Sequence, residues 1–292
     1  MPVVPDYLSN ANISFFFQKT KNICKKNFLI FVKILIFFYF YIKEITENML
    51  EVNKIYNIDC LEGLKLLDDN SIDLIITSPP YNKGINGKNN KGVKWNKTID
   101  YNDDISNDSM PEEEYQKWQI ELLNECCRVL KEDGSMFYNH KNRIHSGKGE
   151  IISPYKWLFQ TKFKIRQEII WDRGSTQNVN RRRYLPTTEL IFWLTKSKTP
   201  IFDRKQDTKY KNEIWKFDFE RNTKHPAPYP IDLPDNIIHC IKCDRKITVL
   251  DPFMGSGTTA IAAIKNDCNY IGFEKFQKYI ELANNRLNNL IQ

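Results

Sequence analysis

Two short segments carry residue types and spacings that could do chemistry. The first is Asp251-Pro-Phe-Met-Gly-Ser-Gly-Thr-Thr, placed directly after the apolar run Ile247 to Leu250 and directly before a helical pattern. Glycines 255 and 257 let the backbone approach a ligand closely, and the start of the following helix offers unpaired N–H groups to a carboxylate or phosphate. Past that helix, Glu274 ends the apolar run NYIGFE, where an acid can hold ribose hydroxyls. A phosphate-binding loop would carry Lys-Ser/Thr after its last glycine, but Thr258 and Thr259 stand there. The second segment is Thr77-Ser78-Pro79-Pro80-Tyr81-Asn82, at the end of the run IDLIITS. Two consecutive prolines stiffen the turn, remove backbone donors and leave the carbonyls of Ser78 and Pro79 as acceptors. Taken alone, this segment also reads as an ordinary proline turn.

The elements that must position these segments alternate between short β-branched runs and helical patterns. The pattern predicts strands over 72–78, 135–140, 165–172, 189–195, 246–250 and 269–274, the fourth and third of these buried, and a helix over 111–134. That helix has acids in its first turn after Pro111 and a stop at Gly134, as the helix dipole and capping rules prefer. Strand, glycine turn and helix follow over 246–265, and a last helix closes the chain. Such alternation predicts an α/β fold, a doubly wound and mostly parallel sheet with helices on both faces.

Together the two segments resemble the amino-methylating DNA methyltransferases, whose marks are a (Ser/Asp/Asn)-Pro-Pro-(Tyr/Phe) tetrapeptide and a DPFxGSGTT cofactor loop. The resemblance covers about 50–290. Because SPPY precedes the cofactor loop, the order is that of the permuted β group. It implies a Rossmann-like, S-adenosylmethionine-dependent domain over 49–292, with a catalytic half (50–195), a short target-recognition region (about 196–224) and a cofactor half (225–292). It also implies catalytic roles for Ser78, Pro79, Pro80 and Tyr81, with Tyr81 stacking on a base flipped out of the duplex. Cofactor contacts are implied for Asp251, Pro252, Phe253, Gly255, Ser256, Gly257, Thr258 and Glu274. His225, Pro226 and Ala227, in HPAPYP, match the element near the methionine end of the cofactor, and Asp59 matches the acid near its adenine. The implied activity is site-specific methylation of N4 of cytosine in a short duplex sequence, with N6 of adenine as the alternative and a protein or RNA amine as a further one. A cognate restriction endonuclease is the implied biological counterpart.

The chain has 43 Lys and Arg against 36 Asp and Glu, a net +7. The excess is concentrated between Lys162 and Lys224, with 16 basic and eight acidic side chains interleaved with aromatics, a footprint suited to double-stranded DNA. Within it, Arg181, Arg182 and Arg183 are candidates for phosphate or guanine contact. Lys91 and Lys94 belong to a second candidate, an acid-free loop of lysines and glycines over 82–98, whose other reading is a solvated surface loop. Seven cysteines at irregular spacing suit a reducing cytosol, and the lone Cys240-x-x-Cys243 has no second pair, so no metal site is expected.

Residues 1–48 differ in composition and contain the apolar run FLIFVKILIFFYFYI at 28–42, broken by Lys33 and shorter than the roughly 20 residues that span a bilayer. A membrane-surface anchor, a buried extra element and upstream sequence ahead of a true start at Met49 compete here. The last is favoured, because an ordered domain opens directly after Met49. A chain beginning at Met49 is therefore expected to fold and keep full methylation activity. Loss of soluble folding on truncation would instead make 1–48 a structural or anchoring element.

Overall fold

The computed structural model describes residues 32–37, 50–82, 110–144, 149–176, 181–204, 208–217, 229–241 and 243–291. The chain divides into two compact units, Met1–Met49 and Leu50–Gln292. Of the first, residues 32–37 are helical and Ile34 to Phe37 are exposed. Among the described residues no helix is long and apolar enough to cross a membrane.

The second unit is built on an eight-stranded sheet. Its strands are β1 (Lys54–Asn57), β2 (Ile72–Thr77), β3 (Leu130–His140), β6 (Lys164–Asp172), β7 (Thr188–Thr195), β8 (Ile214–Trp215), β9 (Thr248–Asp251) and β10 (Asn269–Glu274). A separate two-stranded ribbon pairs β4 (Arg143–Ile144) with β5 (Ile151–Ile152). The order across the large sheet is β1-β10-β9-β2-β3-β7-β6-β8. The first five are mutually parallel, whereas β7 runs antiparallel to both β3 and β6. β2 is buried at all six positions, as a central parallel strand covered on both faces must be.

Helices α1 (Cys60–Lys65), α2 (Glu112–Val129) and α3 (Tyr155–Leu158) contribute to one apolar cluster, with Leu64, Leu122 and Trp157 fully buried against Ile75 and Met136. On the other face α4 (Asp232–Ile241), α5 (Thr258–Lys265) and α6 (Gln277–Ile291) pack Ile237, Ala262 and Ala283 against Leu74, Ile76 and Val249. The two side-chain sets of β2 thus feed two separate cores, which is the doubly wound arrangement the alternation predicts.

Two local expectations are corrected. The second helix stops at Val129 rather than near Gly134, because Leu130 turns to extended backbone (φ −69°, ψ 138°) and pairs with Ile72. Burial of Leu130 in the sheet outweighs the helical propensity of the segment that follows. Lys131 then reaches Asp73 at 2.8 Å, and Gly134 sits where a Cβ would meet the Asp73 carbonyl at 2.8 Å. The expected buried strand at 165–172 is buried only in its second half. β8 flanks it only at Ile170 and Trp171, so the start of β6 is left part exposed.

Candidate active site

The carboxyl ends of the five parallel strands, at Asn57, Glu274, Asp251, Thr77 and His140, lie along one edge of the sheet. From β2 the chain moves outward to β3, and from β9 it moves outward the other way to β10. The adjoining pair β2 and β9 is therefore the point at which the topology reverses, where α/β sheets open a ligand crevice. Both sequence segments leave the sheet at this point, SPPY from β2 and DPFMGSG from β9.

Asp251 joins them. Its carboxylate is 1% exposed and accepts hydrogen bonds from Thr77 Oγ1 (2.8 Å), Phe253 N (3.0 Å), Thr259 Oγ1 (2.6 Å) and Tyr229 Oη (3.0 Å). Tyr229 and Thr259 also touch through their hydroxyls. One side chain therefore fixes the end of β2, the turn after β9, the first turn of α5 and the tyrosine of the HPAPYP segment. Burial raises the Asp251 carboxyl above its ordinary range, against the lowering effect of these four donors.

The glycine turn has left-handed backbone at Gly255 (φ 52°) and Gly257 (φ 82°). A side chain at 257 would also collide with Ala283, whose Cβ lies 2.9 Å from the position of the added Cβ, so both conformation and space require glycine. Arg286 on α6 ties the turn down, donating to Ser256 O (2.8 Å), Ser256 Oγ (3.0 Å) and Thr258 Oγ1 (3.2 Å). Glu274 accepts from Gly255 N and Phe276 N, each at 2.9 Å. Asp59 lies two residues beyond Asn57, the partner of Glu274 in the β1–β10 ladder, and caps α1 through Leu61 N at 2.9 Å. Phe253 packs edge-on against Trp118 of α2 (5.8 Å between centroids). Two acids at neighbouring strand ends, beside a glycine turn that opens a helix, form a donor and acceptor set that fits an adenosyl ligand bearing an amino-acid tail.

Ser78 Oγ, half-buried at the end of β2, lies 2.8 Å from Tyr81 Oη. Tyr81 Oη donates to Glu189 Oε2 (3.0 Å), the side-chain amide of Asn139 donates to Tyr81 Oη (2.9 Å) and Glu189 Oε2 (3.1 Å), and Arg173 donates to Glu189 Oε1 (2.7 Å). Burial, and then the charge of Glu189, push the Tyr81 phenol well above its ordinary range, so it remains a neutral hydroxyl. The Tyr81 ring is 7% exposed and tilted against His140 at 4.6 Å.

The turn is braced from below. Tyr115 donates to the Pro80 carbonyl at 2.6 Å and also meets His140 Nε2 (2.7 Å) and Gln119 Nε2 (2.8 Å). With its one proton given to Pro80, Tyr115 must accept from the other two, which assigns the proton of His140 to Nε2. Its Nδ1 lies against the backbone of Lys141, 2.8 Å from the nitrogen and 2.9 Å from the carbonyl oxygen.

Arg181, Arg182 and Arg183 are exposed in the connection between β6 and β7. The pairings Asp172 with Thr188 and His140 with Leu190 put that connection at the same sheet edge as Ser78. Lys91, Lys94, His225, Pro226 and Ala227 lie outside the described residues. Glu189, Asn139, Arg173 and Arg286 were not singled out by the sequence. A lone acid opening the apolar run ELIFWLT was the one available sign of Glu189.

Residues 72–285 match the DNA methylase family. Among individual relatives, the type II methyltransferase M.BglII of Bacillus subtilis is 30% identical over 265 residues, covering 80% of this chain and 68% of that one. The type II methyltransferase M2.MboI of Moraxella bovis is 29% identical, covering 80% and 86%. Among solved structures, PvuII DNA methyltransferase (cytosine-N4-specific) superposes with a TM-score of 0.65 at 22% identity, over 82% of this chain and 87% of that one. The complex of M1.HpyAVI with SAM gives 0.52 at 25% identity, over 80% and 98%.

The contacts of Asp251 predict a contrast between two substitutions. Asp251→Ala strands Thr77, Thr259, Tyr229 and Phe253 N and is expected to lower stability by about 3 kcal/mol. Asp251→Asn keeps an acceptor for Thr77 and Phe253 N and is expected to lose much less. Because the folded pKa is raised above its ordinary 3.8, folding favours the protonated acid, and that contribution is lost as pH rises through the folded pKa. Thermal melts across pH should therefore move in favour of the Asn variant, relative to wild type, from acid toward neutral. A pH-independent difference would overturn the assignment.

Proposed function

The chain belongs to the N6/N4 family of DNA methylases, and from that premise we propose that it methylates N4 of cytosine at a specific site in double-stranded DNA. S-adenosylmethionine is the methyl donor of this family, and when bound it supplies an electrophilic sulfonium methyl. The observation that carries the reading is the hydrogen bond of Thr77 to Asp251, which holds the SPPY turn and the glycine turn together at the switch point.

In this reading Glu274 and Asp59 hold the adenosyl part, while the turn from Pro252 to Thr258 and the HPAPYP segment hold the amino-acid part. Asp251 serves the cofactor by fixing that turn. An exocyclic amine is a weak nucleophile because its lone pair is delocalised into the ring. Ser78 Oγ and the Pro79 carbonyl accept from its two hydrogens and favour the pyramidal nitrogen of the transition state. Pro80, held by Tyr115, keeps that carbonyl in place.

A base inside a duplex cannot reach this crevice, so it is extruded, and Tyr81 forms part of the wall that receives it. Arg181, Arg182 and Arg183, at the same sheet edge, approach the DNA backbone or a guanine. Lys91 and Lys94 serve the same purpose from the other loop, and residues 196–224 form the short recognition region. The type II relatives suggest a cognate restriction endonuclease whose cleavage this modification blocks.

Ser78 favours cytosine, since serine at this position of the tetrapeptide goes mostly with N4 methylation. Digestion of treated DNA to nucleosides, followed by chromatography and mass measurement, is expected to give N4-methylcytosine. Ser78→Ala is expected to lower the rate by about 100-fold while retaining cofactor binding. N6-methyladenine as the product would overturn the base assignment, and a fully active Ser78→Ala enzyme would overturn the role of the hydroxyl.

A further inference from the structure

The polar chain beneath Ser78 has a direction, and that direction follows from donor counts. Glu189 is 6% exposed, and its carboxylate has no proton to give, so the contact at 3.0 Å is donated by Tyr81. Tyr81 Oη has one proton and spends it there. Its two remaining positions accept, one from the Asn139 amide at 2.9 Å and the other from Ser78 at 2.8 Å. Ser78 is therefore the donor in its contact with Tyr81, and its own proton points down the chain. The Asn139 amide also approaches Ser78 Oγ as a donor at 3.4 Å, so what Ser78 Oγ presents to the crevice is its remaining lone pair.

The other contacts hold this polarity in place. The amide of Asn139 cannot be turned round, because its nitrogen faces the acceptor-only Glu189 Oε2 at 3.1 Å. That orientation leaves Asn139 Oδ1 buried with no hydrogen-bond partner among the described residues, a penalty accepted only where the donor side is needed. Arg173 occupies the second carboxylate oxygen of Glu189 at 2.7 Å, which compensates the buried charge and directs Oε2 to Tyr81.

We propose that Glu189 sets Ser78 as a pure acceptor and receives, through Tyr81 and Ser78, the proton that the base amine loses. The proposal rests on the reading of Ser78 as the acceptor of that amine. As the N–CH3 bond forms and the S–CH3 bond breaks, sulfur keeps the bonding pair and the nitrogen gains positive charge. The N–H bond then breaks toward Ser78 Oγ, the Ser78 proton passes to Tyr81 Oη, and the Tyr81 proton passes to Glu189 Oε2. Charge balances, since the nitrogen returns to neutral and the carboxylate becomes the acid. The same polarity rejects a base with a carbonyl at that position, which would set lone pairs against lone pairs. Glu189 acts through two other side chains and is a positioning residue.

The test is Glu189→Gln, which preserves size and, with its oxygen kept on Arg173, turns an amide nitrogen toward Tyr81 that donates to it and so reverses the chain, directing the Ser78 proton toward the amine. Under single-turnover conditions with unmethylated plasmid and tritiated S-adenosylmethionine, methyl transfer is expected to slow by about 100-fold or more. Cofactor affinity by calorimetry is expected to remain close to wild type, while the thermal midpoint falls with the loss of the Arg173 ion pair but the enzyme stays folded at the assay temperature. A merely structural role is separated by adding Tyr81→Phe. If the residues act as one chain, the double variant is no slower than the slower single variant, whereas independent packing defects multiply. A Glu189→Gln enzyme with the wild-type single-turnover rate, or multiplying losses in the double variant, would overturn the proposal. Wild type and Ser78→Ala run alongside. An active wild type with an impaired Ser78→Ala and an intact Glu189→Gln sinks only the chain, while a fully active Ser78→Ala sinks the reading beneath it.

Discussion

The buried carboxylate of Asp251 is the interaction on which the rest of the site depends. Two segments 174 residues apart must meet, one carrying the Ser78 hydroxyl and the other the glycine turn, and the link between them is Thr77 Oγ1 to Asp251 Oδ1. Ladder pairing of β2 with β9 at Leu74–Val249 and Ile75–Leu250 fixes the register of the two strands, but not the directions in which their ends turn. Asp251 fixes those directions by accepting from both ends and from the first turn of α5. A fully buried acid is an expensive way to hold a corner, and burial does raise its pKa. The expense is tolerable because four donors are already in place, so that no polar group at the corner is left to find water in a crevice that must admit a ligand.

A second layer of bracing follows the same logic on each side. Arg286 reaches from α6 to the backbone and hydroxyl of Ser256, and Tyr115 reaches from α2 to the carbonyl of Pro80. Each turn is thus tied to a helix on a different face of the sheet, and each helix is held by its own apolar core. Displacement of either turn would require repacking a core, which makes the spacing between the two turns stiff. Methyl transfer needs such stiffness, since an in-line approach of nitrogen to a sulfonium methyl tolerates little misplacement.

Much of this was legible in the sequence because it is local. Strand, turn and helix around 246–265, the parallel order of elements and the placement of both motifs at strand ends all follow from runs of adjacent residues. Contacts across long separations were not legible. Glu189 meets Tyr81 over 108 residues and Arg286 meets Ser256 over 30, and in neither case does spacing carry a sign. The end of α2 was misplaced for a related reason. Lys131 to Gly134 look helical or turn-like in isolation, but a tertiary demand, burial of Leu130 beside Ile72 and service of Asp73 by Lys131, draws the chain into the sheet early. Asp73 is itself a buried acid met by Lys131, Arg245 and Thr248 N, none of them its sequence neighbours.

The chemistry of the crevice is consistent with direct transfer to an amine and not with attack through a covalent adduct. A ring-carbon methylation needs a thiolate nucleophile, and no cysteine in this chain follows a proline. Among the described residues, burial pushes the thiols of Cys60 and Cys126 far above their ordinary range, so they remain protonated packing groups. What lines the end of β2 instead is oxygen. The Ser78 hydroxyl stands there, and the carboxylate of Glu189 is set behind the Tyr81 hydroxyl. Acceptor oxygens set in this way complement positive charge developing on a nitrogen, which is the demand that methylation of an amine makes on its site.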